Sequence, residues 1–381
     1  MEQNKKIAFV VAIAGTAQAF LKDHMTYLVK EYDVHLVANF KPEEKAEFEL
    51  MGVTCHDAPI QRSIKLGADL KALFALRKIF KKEKFECVHS VTPKAGLLTS
   101  VAGWMAGVPH RVHIFTGQVW ATRKGVMRAI LKGMDKVIAK FDTDILVDGQ
   151  GQCKFLIDEG VLKESNSTVL ANGSIAGVKL DRFVISEETR KVEREKLGFK
   201  EDDVCFIFMG RLNHDKGIGE LYEAFDKLIP ECPKAKLVLY GHDEEGYDPK
   251  AETYTNIKRD VNYFYPGHTS APFASLQAGD VFVLPTWREG FGMSVLEAQG
   301  LALPAITSDA YGVVDATAEG KTALRFHVGD AEGLYQCMKA YYDSSELRRE
   351  HGLAGRKRVE ESFVGSKVSE AWVEFYHKLL S

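Results

Sequence analysis

Two glutamates, Glu289 and Glu297, stand eight residues apart in DVFVLPTWREGFGMSVLEAQ, with Gly290 and Gly292 between them and an apolar run starting at Asp280 in front. The run reads as a buried strand, TWREGFG as the loop at its C-terminal end, and MSVLEAQGLA as a helix. The first residues of that helix, Met293 and Ser294, offer backbone N–H groups at a positive helix end, where an anion is held. Glu297 is expected in the first turn, placed to accept both hydroxyls of a vicinal diol such as a ribose. Glu289, in the loop, can reach a different part of the same ligand. Alone, Glu297 reads as a partner of the helix dipole and Glu289 as a solvated loop residue. Strand, glycines and two spaced carboxylates together read as a ligand site.

A second stretch, FIFMGRLNHDKGIGEL, follows the strand VCFIFMG with Arg211 and Lys216, five residues apart, and loosens the backbone with Gly217 and Gly219 before a helix. Two cations and a helix N-terminus can clamp a diphosphate and neutralise the charge that grows on it as it leaves, without a metal. The GxxxxGK[ST] pattern of a Walker motif is absent.

Several elements are needed to hold these loops. The 381 residues, 45% hydrophobic, suffice for two ordinary domains with cores of their own. Short apolar runs alternate with helix-period segments: IAFVVAIAG, VHLVAN, FECVHSV, RVHIFTG and ILVDG, then VCFIFMG, AKLVLYG, DVFVLPT and LPAITSD. This alternation predicts parallel sheets with helical crossovers. The series breaks at ANGSIAGVKLDRF, which predicts domains over 1–175 and 176–362, followed by an amphipathic C-terminal helix over 363–381 that packs back towards the first domain. The fold class is therefore α/β, with two Rossmann-like doubly wound domains facing a central cleft.

Charge divides along the same line. Residues 1–180 carry 25 basic and 19 acidic side chains, a balance of +6, whereas residues 181–381 carry 25 against 34, a balance of −9. Residues 60–140 hold 16 basic and 4 acidic side chains, with Arg128, Lys132, Lys136 and Lys140 at four-residue spacing, one stripe on a helix. The stripe reads either as a solvated helix face or as contact with anionic groups at a membrane surface or on a lipid-linked substrate. A net charge of −3 lacks the footprint of a nucleic-acid binder. Apolar runs end near nine residues, too short to span a bilayer, and the polar N-terminus does not open a signal peptide, so the expected location is the cytoplasm, on the inner face of the membrane if the stripe binds there. The six cysteines are scattered without a CxxC pair and read as reduced, packed thiols.

GRL followed by KG, paired with EGFGMSVLEAQ, resembles the retaining glycosyltransferases of family four, which have the GT-B fold and include bacterial capsule and O-antigen enzymes. The resemblance covers the second half almost completely. It implies that Arg211 and Lys216 bind the donor diphosphate beside Gly210, that Glu297 binds the ribose, and that Glu289 with Gly290, Phe291 and Gly292 binds the transferred sugar and the phosphates. It also implies that Gly241 lies near the nucleotide and that Asn172 and Gly173 form the interdomain link, with Asn172 among the donor-binding residues. In the first half it makes Gly15 and Thr16 a loop over the phosphates and turns His89 and Lys94 towards the cleft. Many relatives carry a sugar-contacting histidine where this chain has Thr116, and His113, on the strand, reads as a packed core residue. Asp142-Thr143-Asp144 precedes a strand and reads as a turn, so no metal is expected.

The expected activity is retaining transfer of a sugar from a nucleoside diphosphate, UDP above others, to a glycan or polyprenyl-diphosphate-linked acceptor in surface polysaccharide synthesis. The sugar nucleotide is a co-substrate and no cofactor is expected. A nucleotide-sugar 2-epimerase shares the two-domain plan but needs acid and base carboxylates in the cleft, and no such cluster stands in the first half. A two-lobed solute-binding protein is the non-enzymatic alternative, disfavoured because such proteins are usually exported.

Overall fold

The structure, a computed structural model, describes residues 4–61 and 65–381. It divides into two compact units, one running to Gly177 and including Gly365–Ser381, the other Val178–Val364. In the N-terminal unit the strands are β1 (Lys6–Ile13), β2 (Asp33–Asn39), β3 (Thr54–Asp57), β4 (Cys87–Val91), β5 (His110–Phe115), β6 (Asp144–Val147) and β7 (Ser167–Thr168). They form one sheet in the order β3-β2-β1-β4-β5-β6-β7, parallel throughout. A parallel sheet covered on both faces needs apolar strands rather than alternating ones, and KIAFVVAI shows why β1 can be central. The pleat still sorts its side chains. Ile7, Phe9 and Val11 join a core with Met25, Leu28, Trp372 and Tyr376, while Ala8, Val10 and Ala12 join Leu76, Phe80 and Leu98.

The C-terminal helix Gly365–Leu380 belongs to this unit, burying Val368, Trp372, Tyr376 and Leu380 at four-residue spacing. Trp372 is fully buried and stacks on His24 at 4.5 Å and on His89 at 4.9 Å between ring centroids. His24 in turn bonds Ser369 Oγ at 2.9 Å and the Ile175 carbonyl at 2.6 Å, so the helix is fixed by polar bonds as well as by area.

The second unit contains β8 (Val204–Met209), β9 (Ala235–Tyr240), β10 (Tyr263–Gly267), β11 (Val281–Leu284), β12 (Ala305–Ser308) and β13 (Ala323–Phe326). Their order is β10-β9-β8-β11-β12-β13, again parallel. Its entry and exit lie side by side, with the Val178 N–H donating to the Phe363 carbonyl at 2.7 Å. Both sheets grow outward in two directions from their first strand, leaving a switch point between β1 and β4 and another between β8 and β11. In open α/β sheets ligands bind beyond the C-terminal strand ends at such points.

The stacking of Trp372 gives a stability expectation. Trp372→Ala should destabilise the N-terminal unit by about 3–5 kcal/mol, the usual loss for a large buried aromatic. Denaturant unfolding measures this, and a loss below about 1 kcal/mol would mean that the C-terminal helix is not part of that core.

Candidate functional site

At the switch point of the second unit, the loops after β8 and β11 are locked together through their backbones. The Trp287 N–H donates to the Asp215 carbonyl at 2.8 Å, and the Thr286 hydroxyl donates to the same oxygen at 2.9 Å. Gly217 has φ +69°, and a Cβ there would stand 1.9 Å from the Pro285 carbonyl oxygen. Only glycine permits that approach. The side chains repeat the connection: Arg288 Nε donates to Asp215 Oδ2 at 2.8 Å, and Lys216 Nζ is hydrogen-bonded to Glu289 Oε1. The Lys216 and Glu289 side chains are only 16% and 17% exposed, so this ion pair is partly withdrawn from water.

Two helices start from these loops, Ile218–Leu228 after Gly217 and Met293–Gly300 after Gly292. Neither has a side-chain cap, and both N-caps are left-handed glycines. Two helix N-termini with glycine caps, reached from loops that Lys216 and Glu289 join, have the polarity that suits an anion. Ser294 is half-buried in the first turn of the second helix, and Met293 is half-buried against the core.

Glu297 falls in the second turn of that helix, not the first, because Gly292 is the N-cap and Met293 the first helical residue. It is half-buried, and it has no hydrogen-bond or ion-pair partner among the described residues. Burial pushes its carboxyl up to about 7. A carboxylate so placed gains from a ligand that brings hydroxyl donors. Phe291 corrects its expected role in part: its side chain is buried in the core, 5.5 Å from Phe363 between ring centroids, so only its backbone can face a ligand. Gly290 is buried, and a Cβ on Gly312 would stand 2.8 Å from its carbonyl oxygen, so this loop too is closely packed.

Arg211 does not join the Lys216 pair. It is exposed and lies 3.2 Å from Glu244 Oε2, beyond the end of β9. A hydrogen bond from Asn213 chiefly, with the charge of Arg211, holds the Glu244 carboxyl below the usual range. Gly210 and Gly241 meet at the same strand ends, where a Cβ on Gly241 would stand 1.7 Å from the Gly210 carbonyl. Sequence reasoning missed Glu244, Asp215 and Arg288. The last two adjoin Lys216 and Glu289 in the chain, which was the only signal available.

In the N-terminal unit, Gly15 and Thr16 lie not in a loop but in the first turn of a helix, Ala14–Phe20, that begins directly after β1. They are half-buried, and a Cβ on Gly15 would meet nothing within 4 Å. His89 is not turned to a cleft. It is fully buried on β4, its Nδ1 2.7 Å from the Tyr376 hydroxyl, and burial lowers its pKa well below the ordinary histidine value. The pleat explains the correction, since Cys87, His89 and Val91 share a face and Cys87 and Val91 lie in the core that holds Trp372. Lys94 occupies the first turn of the helix Pro93–Ala106 and lies 2.6 Å from Asp69 Oδ1.

Between β4 and that helix stands Thr92, with φ +77° and a buried hydroxyl that lacks a hydrogen-bond partner among the described residues. A β-branched residue in this region is strained, and such strain gathers at functional sites. Thr116, half-buried, follows β5 directly. His113 is a core histidine, bonded to Ser90 Oγ at 2.8 Å, and its pKa falls to about 3 through burial. Asn172 is exposed in a turn closed by the Gly173 N–H on the Leu170 carbonyl at 2.8 Å. Asp142 caps the helix Gly125–Phe141 and accepts from Ser100 Oγ at 2.8 Å.

Comparison with known proteins identifies the family. The family model described as glycosyl transferases group 1 matches residues 189–358, and the glycosyl transferase 4-like domain matches residues 16–149. The chain is 30% identical over 379 residues to the capsular polysaccharide biosynthesis glycosyltransferase CapM of Staphylococcus aureus, covering 99% of this chain and 98% of that protein. It is also 30% identical to the UDP-Gal:alpha-D-GlcNAc-diphosphoundecaprenol alpha-1,3-galactosyltransferase of Escherichia coli, over 66% of this chain and 65% of that enzyme. Among solved structures, Anabaena HepE in complex with UDP-glucose shares the fold with a TM-score of 0.81 at 15% identity, covering 98% of this chain and 99% of that one. With a relative similar along nearly its whole length and the two family models falling on the two sheets, the chain belongs to the group 1 glycosyltransferases with a family-four-like N-terminal domain, the GT-B glycosyltransferases.

Proposed function

We propose that the protein transfers a sugar, with retention of configuration and without a metal, from UDP-sugar to a polyprenyl-diphosphate-linked or glycan acceptor in surface polysaccharide synthesis. The observation that carries the reading is the Lys216–Glu289 pair, which joins the two loops that lead into helices with glycine N-caps. A diphosphate brought there takes Lys216 from its carboxylate partner and sets Glu289 free to bind the sugar. Arg211, exposed beside Glu244, adds the second cation. Glu297 takes the ribose hydroxyls. Gly15 and Thr16 are assigned to the donor phosphates, and Lys94 and Thr116 to the sugar or acceptor side. In the reaction the bond between the anomeric carbon and the diphosphate oxygen breaks, the acceptor oxygen forms its bond on the same face, and the acceptor proton passes to the departing diphosphate. The protein supplies position and charge. The diphosphoundecaprenol-linked acceptor in the name of the E. coli relative and the UDP-glucose bound to HepE support the substrate classes. The 2-epimerase alternative predicts conversion of a sugar nucleotide without acceptor, and incubation with donor alone distinguishes the two.

The N-terminal unit supports work at an anionic bilayer. On the helix Leu66–Glu83, Leu66, Leu70 and Phe74 are 81%, 55% and 56% exposed at four-residue spacing. On the helix Gly125–Phe141, Val126, Met127 and Ile130 are 76%, 55% and 53% exposed. Both helices pack on Pro93–Ala106, and both carry these residues in their N-terminal halves. Exposed Lys65, Lys71, Lys78, Arg123 and Lys124 accompany them. Apolar side chains bordered by cations suit the boundary between headgroups and acyl chains. The four-residue basic stripe contributes less than its spacing suggests. Arg128 and Lys132 are bound to Glu159 at 2.7 and 2.5 Å, leaving Lys136 and Lys140 as the exposed members. Among the described residues no helix is long and apolar enough to cross a membrane.

Three measurements test these readings. Lys216→Ala should lower turnover about a hundredfold or more, the usual effect of losing a charge-stabilising donor, and near-normal turnover would overturn the diphosphate assignment. Glu297→Gln should weaken UDP binding, whereas Glu289→Gln should leave it nearly intact and slow transfer. Because Glu297 is raised to about 7, its stabilising protonated form is fully present below the ordinary carboxylate range and lost as pH rises through 7. Its ionised form accepts the ribose hydroxyls, so UDP affinity should gain across that window in the native protein relative to Glu297→Gln; parallel calorimetric curves for the two proteins would refute the role. Finally, Phe74→Ser with Ile130→Ser should reduce binding to anionic vesicles at least tenfold, given about 1.5–3 kcal/mol for each buried apolar side chain. Transfer to a soluble acceptor analogue should be unchanged. Equal vesicle binding by both proteins would exclude this seat.

A further inference from the structure

At the far edge of the N-terminal sheet, away from the strand ends discussed above, three side chains from separate parts of the chain converge. His35 stands near the start of β2, His56 on the edge strand β3, and Glu83 at the end of the helix Leu66–Glu83. One ligand atom from each lies within 4.8 Å of the others. We propose that His35 Nδ1, His56 Nε2 and a Glu83 carboxylate oxygen bind a divalent cation of the zinc class, which pins β3 to β2 and to that helix.

Several independent features support the assignment. His35 Nδ1 and His56 Nε2 are 2.8 Å apart, and His35 is buried while His56 is half-buried. In the parallel register Val37 faces His56 and His35 faces Thr54, so the two histidines are diagonal neighbours on one face of the sheet. Cys55, between Thr54 and His56, turns to the other face and packs against the Trp372 core, which leaves a donor set of two imidazoles and a carboxylate without thiolate. That set suits zinc, with water completing the shell.

The second feature is Asp33, whose Oδ1 lies 3.2 Å from His35 Nε2. A carboxylate behind the far nitrogen of a ligating histidine fixes the tautomer and raises its basicity, as at established metal centres. Phe85 meets both imidazoles edge-on, at 4.9 Å from His35 and 6.2 Å from His56, and limits their rotation.

Proton positions balance. Without metal, one proton bridges His35 Nδ1 and His56 Nε2, 2.8 Å apart. On binding, His56 shifts its proton to Nδ1, freeing both facing nitrogens with no net proton loss. The cation displaces one of the two lysines that Glu83 holds, Lys6 at 3.5 Å from Oε2 or Lys82 at 3.1 Å from Oε1.

The test titrates chelator-treated full-length protein with cobalt, followed by zinc displacement. One saturable equivalent is expected, with d–d absorption and no sulfur-to-cobalt charge-transfer band. His56→Gln and Glu83→Gln should each lower the affinity at least a hundredfold, and Asp33→Asn ten- to a hundredfold. Zinc should raise the Tm of the native protein and not of the two ligand variants, whose metal-free Tm serves as the folding check. Absence of a saturable band, a thiolate band, or affinity within threefold of native in Asp33→Asn and either ligand variant would overturn the proposal. Sugar transfer is expected to survive the chelator, since the cluster lies at the opposite end of the sheet from the strand ends that carry Gly15 and Thr92.

Discussion

The second unit depends on a contact between two backbones, the loop after β8 pressed against the loop after β11 with Gly217 under the Pro285 carbonyl. Because no side chain fits between them, the Asp215 carbonyl can accept from both Thr286 and Trp287. Lys216 and Glu289 are then held opposite one another. A methyl at position 217 would also have to adopt a left-handed backbone, so strain would add to the clash. The arrangement is typical of polar sites on α/β sheets: the sheet sets the strand ends, and the loops decide what they can hold.

Much of this was legible in the sequence, for identifiable reasons. The apolar runs of a parallel sheet are continuous, so KIAFVVAI, VCFIFM and DVFVL announce themselves, and loops with clustered glycine mark their C-terminal ends. What the sequence could not convey was the direction of individual side chains. His89 lies in a segment rich in polar and small residues, yet the pleat turns it into the core against Trp372, while Lys94, five residues later, meets Asp69. Phe291 sits between two glycines of the loop after β11 and still faces inward. Arg211 and Lys216 share a motif but find separate partners, because five residues of loop allow the chain to turn between them. Glu297 is the fifth residue of a helix that starts at Met293 as expected, so 3.6 residues per turn carry it into the second turn.

Buried histidine is the other theme of the N-terminal unit. His24, His89 and His113 are enclosed and hydrogen-bonded to Ser369, Tyr376 and Ser90, respectively. Burial drives His89 and His113 down so far that they stay neutral across the physiological range. They serve as aromatic packing with one polar bond each. His35 and His56 differ because they face each other at a sheet edge, on strands 21 residues apart in the chain. That separation is why no local motif revealed them: a pair formed across a parallel register has no fixed spacing.

The C-terminal helix has a consequence for how the chain is made. The second unit is continuous, Val178–Val364, and its strands can pair as soon as they leave the ribosome. The N-terminal unit, although synthesised first, lacks Trp372 and Tyr376 until the last segment emerges. Its core face of Phe9, Met25 and His24 therefore stays uncovered for the whole time that the second unit is being translated, an interval of roughly ten to forty seconds at about 5–20 residues per second. The order of completion is the reverse of the order of synthesis, and the half-built first unit is the natural client for a chaperone during that interval.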